Sequence, residues 1–265
     1  MGQCPPTISD GQSLLNRCRE IRNNLIPKDE TSAFVFLDTE TTGLSPNSDW
    51  LYEIAALFVA VRGGEHQRVH AFHSYLNWVD TGLVSFAELE EKVNKTNHEI
   101  AQKDPSIRRP SADEIVALGK HPSAVLGDFA KVVNEFFTSQ APCRRVFSGH
   151  NAFSFDSNFL HQSYAKVGIV SPIGGEMLDT GLLLKAAQVT GPEYCPKSYQ
   201  YSVDWMLKVR NARLKGVKWS LADFCDPLFK LKAKLPPFVD AFKHTSVTDV
   251  WMTYTLFKLI DGCTE

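Results

Sequence analysis

An α/β fold is predicted by three observations. Phe34-Val35-Phe36-Leu37 is an apolar run of the kind that forms a buried strand, and it delivers Asp38 and Glu40 at its end. Two more β-rich runs, Leu51 to Val61 and Gln67 to Leu76, flank the turn dipeptide Gly63-Gly64, so the sheet starts antiparallel. Beyond them, polar helical stretches alternate with a short strand, as in layered α/β architectures.

The elements follow in order. Ser9 to Leu25 reads as a helix, with Ser9 or Asp10 as its cap and Pro27 beyond its end. The three β-rich runs start with Ala33 to Asp38. From Ser85 to Asn134 the chain is helical and polar, interrupted by Pro105, Pro110 and Pro122, with a loop at Ile107-Arg108-Arg109-Pro110. Val125, Phe129, Val132, Val133 and Phe136 form an amphipathic stripe there. Arg145-Val146-Phe147-Ser148 is a short strand running into Gly149-His150-Asn151, and Asp156 to Val167 is the helix after it. Strand-to-helix junctions of this type gather ligand sites. Val250 to Ile260 is a strongly apolar last helix.

The chain has 265 residues, of which 43% are hydrophobic and 22% charged, which suits one compact soluble domain with ample core. We place that domain at residues 31–265, after a helical extension at 1–30. A formal charge of −2 gives no global attraction to a polyanion, so nucleic acid would need local basic patches or metals. The six cysteines, at 4, 18, 143, 195, 225 and 263, have no CxxC spacing and argue against structural zinc, and a reducing interior is expected. Met1-Gly2-Gln3-Cys4-Pro5-Pro6 begins like a myristoylation signal but has Pro6 where Ser or Thr is needed. No run is long enough to span a membrane, and an intracellular, soluble protein is the expectation.

Residues two apart on a strand share a face, so Asp38 and Glu40 repel unless a cation or proton lies between them. Asp156 has two readings, as a helix N-cap or as part of a site. Ser246 and Asp249 match a Ser-x-x-Asp capping box, which is the alternative to a site role for Asp249. On one continuous helix His244 and Asp249 would lie about 140° apart, which places His244 in the loop ahead of the helix.

Together Asp38, Glu40, Asp156, His244 and Asp249 resemble the motif set of the DEDDh exonucleases, the DnaQ-like branch of the ribonuclease H-like superfamily. Asp38-Thr39-Glu40-Thr41-Thr42-Gly43-Leu44 is the most specific motif; His150-Asn151 to Phe155-Asp156, and His244 to Asp249 with its His-x4-Asp spacing, follow in the family's order. Leu178-Asp179-Thr180 and Ser220-Leu221-Ala222-Asp223-Phe224 are smaller echoes, and the likeness covers Ala33 to Ile260. Two departures are a second motif one residue longer than its commonest form and Ser246 where Ala is frequent.

The resemblance implies a mixed central sheet flanked by helices, its first three strands antiparallel. It implies a 3′→5′ exonuclease that releases nucleoside 5′-monophosphates from a nucleic-acid 3′ end; a single strand is the expected substrate, with DNA favoured slightly over RNA, a choice that the motifs themselves leave open. Two Mg²⁺ or Mn²⁺ ions would be held by Asp38, Glu40, Asp156 and Asp249, with His244 as general base. Thr41, Thr42, Leu44, Asn151 and Phe155 would meet the terminal nucleotide, Leu44 as a wedge or else packed in the core. Such an activity is either freestanding or serves a polymerase or repair pathway. The stretch Glu193 to Lys218 carries Lys197, Lys208, Arg210, Arg213, Lys215 and Lys218 among Tyr194, Tyr199, Tyr201 and Trp205. It is either a strand-binding surface or a solvated helix face with Trp205 and Leu207 inward. Two other readings of the chain are a catalytically silent module that binds nucleic-acid ends, and a helix-capped scaffold for protein interaction.

Overall fold

A computed structural model describes residues 11–28, 30–188, 203–212, 220–221, 234–239 and 245–263. Helix α1 (Gly11–Leu25) leads into strand β1 (Ser32–Thr41), which pairs antiparallel with β2 (Leu51–Arg62). Strand β3 (Glu65–Tyr75) returns along β2, and the turn between them puts Gly63 at φ 58° and Gly64 at φ 83°. Both central residues are left-handed, the geometry a tight hairpin needs and glycine supplies without strain. The expected antiparallel start is therefore present, with β1 running three residues past Asp38.

Helices α2 (Phe86–Lys103), α3 (Ala112–Leu118) and α4 (Pro122–Ser139) follow, broken where the prolines were expected to break them. Strand β4 (Arg144–Gly149) lies parallel to β1 on its free side, α5 (Asp156–Val167) follows it, and β5 (Glu176–Asp179) pairs parallel to β4. The sheet order is β3-β2-β1-β4-β5, a mixed sheet with an antiparallel half and a parallel half. Helices α6 (Thr180–Ala187), α7 (Val203–Asn211) and α8 (Ser246–Asp261) follow, and a short 3-10 helix, Trp78–Thr81, lies between β3 and α2. Among the described residues, no helix is long and apolar enough to cross a membrane.

Each face of the sheet carries its own core, and alternation along β1 assigns the side chains. Phe34 and Phe36 face α1, α6 and α8, meeting Leu14, Ile21, Leu183 and Phe257. Ala33, Val35 and Leu37 face the opposite layer, with Leu89, Ile115, Phe129 and Phe159 from α2 to α5. Period two therefore places Asp38 and Glu40 on the α8 side and Thr39 on the α5 side. In α7, Trp205 and Met206 are buried whereas Leu207 is exposed, so Leu207 does not pack inward as the helix-face reading required. The rest of the basic stretch, 193–202 and 213–218, lies outside the described residues.

Candidate active site

The carboxyl end of β1, the start of α5 and the start of α8 meet at one cleft of about 310 Å³. Asp38, Glu40 and Asp249 each bring a carboxylate oxygen there, and these oxygens lie within 4.8 Å of one another. Such an all-oxygen donor set fits a hard divalent cation such as Mg²⁺ or Mn²⁺. Burial raises the Asp38 pKa well above the usual carboxylate range, and the neighbouring charges of Asp156, Asp249, Glu40 and Glu53 add to it. Like charges this close are the electrostatic problem that a bound cation relieves.

Local structure aims each donor. The β1–β2 register slips between Glu40 and Thr41, a bulge at the strand's functional end. Bulges of this kind twist a strand and redirect its side chains. Helix α8 is capped by Thr245, whose hydroxyl accepts from the Thr248 amide, and not by Ser246. The capping-box reading of Ser246 and Asp249 is thus replaced. Ser246 instead donates its hydroxyl to Glu53 Oε1 at 2.9 Å, and Asp249 lines the cleft.

Asp156 approaches from the other face of the sheet. It is the first residue of α5, and the cap position belongs to Phe155, which makes no side-chain capping bond. Its Oδ1 accepts from the Thr39 hydroxyl at 2.6 Å. Burial pushes the Asp156 pKa up to about 7, against hydrogen bonds from Thr39 and the Asp156 amide that pull it down. Asp156 lines the cleft and is felt electrostatically by Asp38, while the three-oxygen cluster is made by Asp38, Glu40 and Asp249. His244 lies outside the described residues.

The residues expected to meet a nucleotide divide by position. Thr41, Leu44, Asn151 and Phe155 line the cleft. Leu44 is 85% exposed, which excludes the core-packing alternative. Thr42 is buried and closes the loop after β1 instead: its hydroxyl accepts from the Trp50 amide and its carbonyl accepts from the Thr96 hydroxyl. Both Phe153 and Phe155 pack against the core, but Phe155, tilted against Phe159 with ring centroids 4.9 Å apart, lines the cleft and Phe153 does not. At Gly43 the close neighbour is the Asp49 carboxylate, which an added Cβ would meet at 2.3 Å.

Three features escape a reading of the sequence. Asp179, fully buried at the end of β5, accepts the amides of Asn151, Phe153 and Leu182 and so shapes the loop that carries Asn151 at φ 65°. Its only trace in the sequence is the short Leu178-Asp179-Thr180 echo. The C-terminal half of α2 walls the cleft through Thr96, Glu99, Ile100 and Lys103. Arg109, from the loop before α3, pairs with Glu40 Oε2 at 2.5 Å.

No protein-family model matches the sequence, and no curated protein does. Among solved structures the chain is similar to E. coli exonuclease I in complex with a dT13 oligonucleotide, at TM-score 0.53 and 14% identity, over 86% of this chain and 41% of that one. It is also similar to the zinc-ion-bound form of the E. coli exonuclease I complex with single-stranded DNA, at TM-score 0.52 and 16% identity, over 87% of this chain and 41% of that one. A further exonuclease I structure gives TM-score 0.53 and 15% identity, over 87% and 41%. The chain thus spans about two fifths of the length of the exonuclease I chains it resembles. At these identities the likeness speaks for the fold, an α/β mixed sheet consistent with the ribonuclease H-like architecture of exonuclease I.

Proposed function

We propose that this protein is a metal-dependent 3′→5′ exonuclease acting on single-stranded nucleic acid, DNA in preference to RNA, to release nucleoside 5′-monophosphates. The observation that carries this reading is the cluster of Asp38, Glu40 and Asp249 oxygens, within 4.8 Å of one another in a cleft that Asp156 also lines. The similarity to exonuclease I bound to single-stranded DNA supports it. Asp38, Glu40 and Asp249, with Asp156 beside them, would hold Mg²⁺ or Mn²⁺, two ions in the family pattern. When bound, such ions supply positive charge to the oxygens of a phosphodiester.

The chain's own residues do the rest. Leu44 stands exposed at the rim, where it can wedge beside the terminal base, and Phe155 offers an aromatic edge within the cleft. Lys103 brings a cation to the same cleft for a backbone phosphate. Asn151, left-handed with its amide donated to the Asp179 carboxylate, lines the cleft and either meets the nucleotide or fixes its own loop. His244 takes a proton from the attacking water, since an imidazole with an unperturbed pKa of about 6.5 is free to do so near neutral pH.

A 5′-labelled single-stranded DNA oligonucleotide incubated with Mg²⁺ or Mn²⁺ tests the reading. A ladder shortening from the 3′ end is expected, abolished by EDTA and in D38A, and reduced about 100-fold or more in H244A. An RNA oligonucleotide of the same sequence, run in parallel, should shorten more slowly. A purified protein that binds the strand yet never shortens it under either metal would instead be a silent end-binding module.

A further inference from the structure

We infer that Arg109 is a positioning residue for Glu40, a built-in cation that fixes the orientation of this carboxylate and tempers the ion affinity of the acidic cluster. The inference rests on the reading of the cleft as a metal-dependent nuclease site. Arg109 reaches Glu40 across 69 residues of sequence, and its Nη2 donates to Glu40 Oε2 at 2.5 Å, to the Tyr52 hydroxyl at 2.5 Å and to the Thr41 carbonyl at 3.4 Å. The ion pair is nearly closed to water, with the Arg109 side chain 5% exposed and that of Glu40 7%.

These contacts make one clamp. Glu40 stands at the β1 bulge, a point where the strand's hydrogen bonding alone leaves the side-chain direction weakly determined. Tyr52 comes from β2 and is itself 2% exposed, so its hydroxyl is a fixed point for the guanidinium. All three acceptors gather on one guanidinium nitrogen, Nη2, whose N–H directions are fixed in the guanidinium plane; the shorter lysine, with a freely rotating ammonium, does not place a donor there in the same way. The guanidinium also lines the cleft with the cluster, so its positive charge acts on whatever the carboxylates hold. It offsets part of the repulsion among Asp38, Glu40 and Asp249, and it makes a divalent ion share Glu40 with an internal cation.

Removing the charge and displacing the Nη2 donor have different consequences, and that separates this role from mere support of the fold. R109Q, R109K and Y52F are titrated with Mn²⁺ without nucleic acid, by calorimetry and by EPR of the free ion, and kcat and KM are measured on a single-stranded oligonucleotide. R109Q should bind Mn²⁺ roughly 10-fold tighter, because a positive charge leaves the ligand's side, while kcat falls about 10- to 100-fold and KM stays unchanged. R109K should keep the parent ion affinity with kcat still reduced. Y52F, which leaves the charge and removes one of the acceptors that hold Nη2, should lower kcat about 3- to 10-fold at unchanged ion affinity.

Unchanged ion affinity in R109Q, or affinity and turnover falling together, overturns the inference. Should R109Q fail to fold, R109K and Y52F carry the test, and parent-like kcat in both overturns it. A parent protein that binds Mn²⁺ yet cleaves nothing sinks the nuclease reading, and in that case the R109Q ion affinity still decides the role of Arg109.

Discussion

Asp38 and Glu40 were legible because period two is a property of any strand, and Phe34 to Leu37 announces a buried one. The roles of Arg109 and Asp179 were not, since Arg109 acts on a carboxylate 69 residues away and Asp179 shapes a loop 28 residues away, which the Leu178-Asp179-Thr180 echo marks without explaining. Asp156 shows what burial does to such a group. Its pKa is raised to about 7 from 3.8, so between those values the folded protein binds a proton that the unfolded chain has lost. Stability therefore falls as pH rises through that window, the opposite of a salt-bridged carboxylate. In EDTA, D156N keeps an acceptor for the Thr39 hydroxyl but cannot titrate. Its Tm should match the parent near pH 4 and exceed it by several degrees at pH 7, at about 2–4 °C per kcal/mol for a domain of this size. Thermal scans across pH 4–8 check this, and parallel curves would remove Asp156 as the cause. Gly43 gives a second prediction at this scale. A methyl group there meets the Asp49 carboxylate, which accepts from the Ser45 amide and pairs with Lys92, so G43A should cost roughly 1–3 kcal/mol in urea unfolding.

Among the elements, the long hairpin of β2 and β3 and the helices α2, α4, α5 and α8 were readable from apolar periodicity, prolines and the Gly63-Gly64 turn. Strand β5 was not, because its four residues are too few for any period to register. The apolar run starts the last helix at Val250, four residues late, and the capping-box alternative with Ser246 as cap starts it one residue late. Ser-x-x-Asp satisfies the capping-box pattern, yet Thr245 caps the helix and Ser246 reaches the wholly buried Glu53, whose Oε1 also contacts His73 Nε2 at 2.9 Å. The element's entry into the site is thus fixed by a bond to β2, next to the turn that carries Asp249. S246A leaves a buried carboxylate short of one donor and should destabilise the protein by about 1–3 kcal/mol. T245A, which removes only an end cap, should cost about 1 kcal/mol. Urea titrations of both variants rank them, and a T245A loss larger than that of S246A would refute the anchoring role of Ser246.

Across the whole molecule, the beginning and the end of the described chain are tied together beneath the sheet. Leu14, Cys18, Ile21 and Leu25 of α1 are buried in the same core as Phe34 and Phe257, so the expected extension at 1–30 contains a helix that shares the core of the residues after it. Arg22 of α1 meets Asp261 of α8 at 2.6 Å, both side chains 2% exposed, and His66 of β3 meets the same carboxylate at 2.9 Å. An ion pair this deep is poor evidence for net stability, because two desolvated charges offset most of their own attraction. Breaking it by removing one partner is expensive, about 3–5 kcal/mol. D261N should therefore lower stability by about that amount, with R22M/D261L recovering part of it, since the double variant removes both members of the Arg22–Asp261 pair and leaves His66 Nε2 without its acceptor. Deleting residues 1–27 should do more, uncovering the apolar surface of α6 and α8 and removing the single cooperative transition expected of one shared core. If calorimetry of the truncated chain instead showed a sharp transition at the parent Tm, α1 would be an appendage, and the two-part division at residue 30 would describe the energetics as well as the sequence.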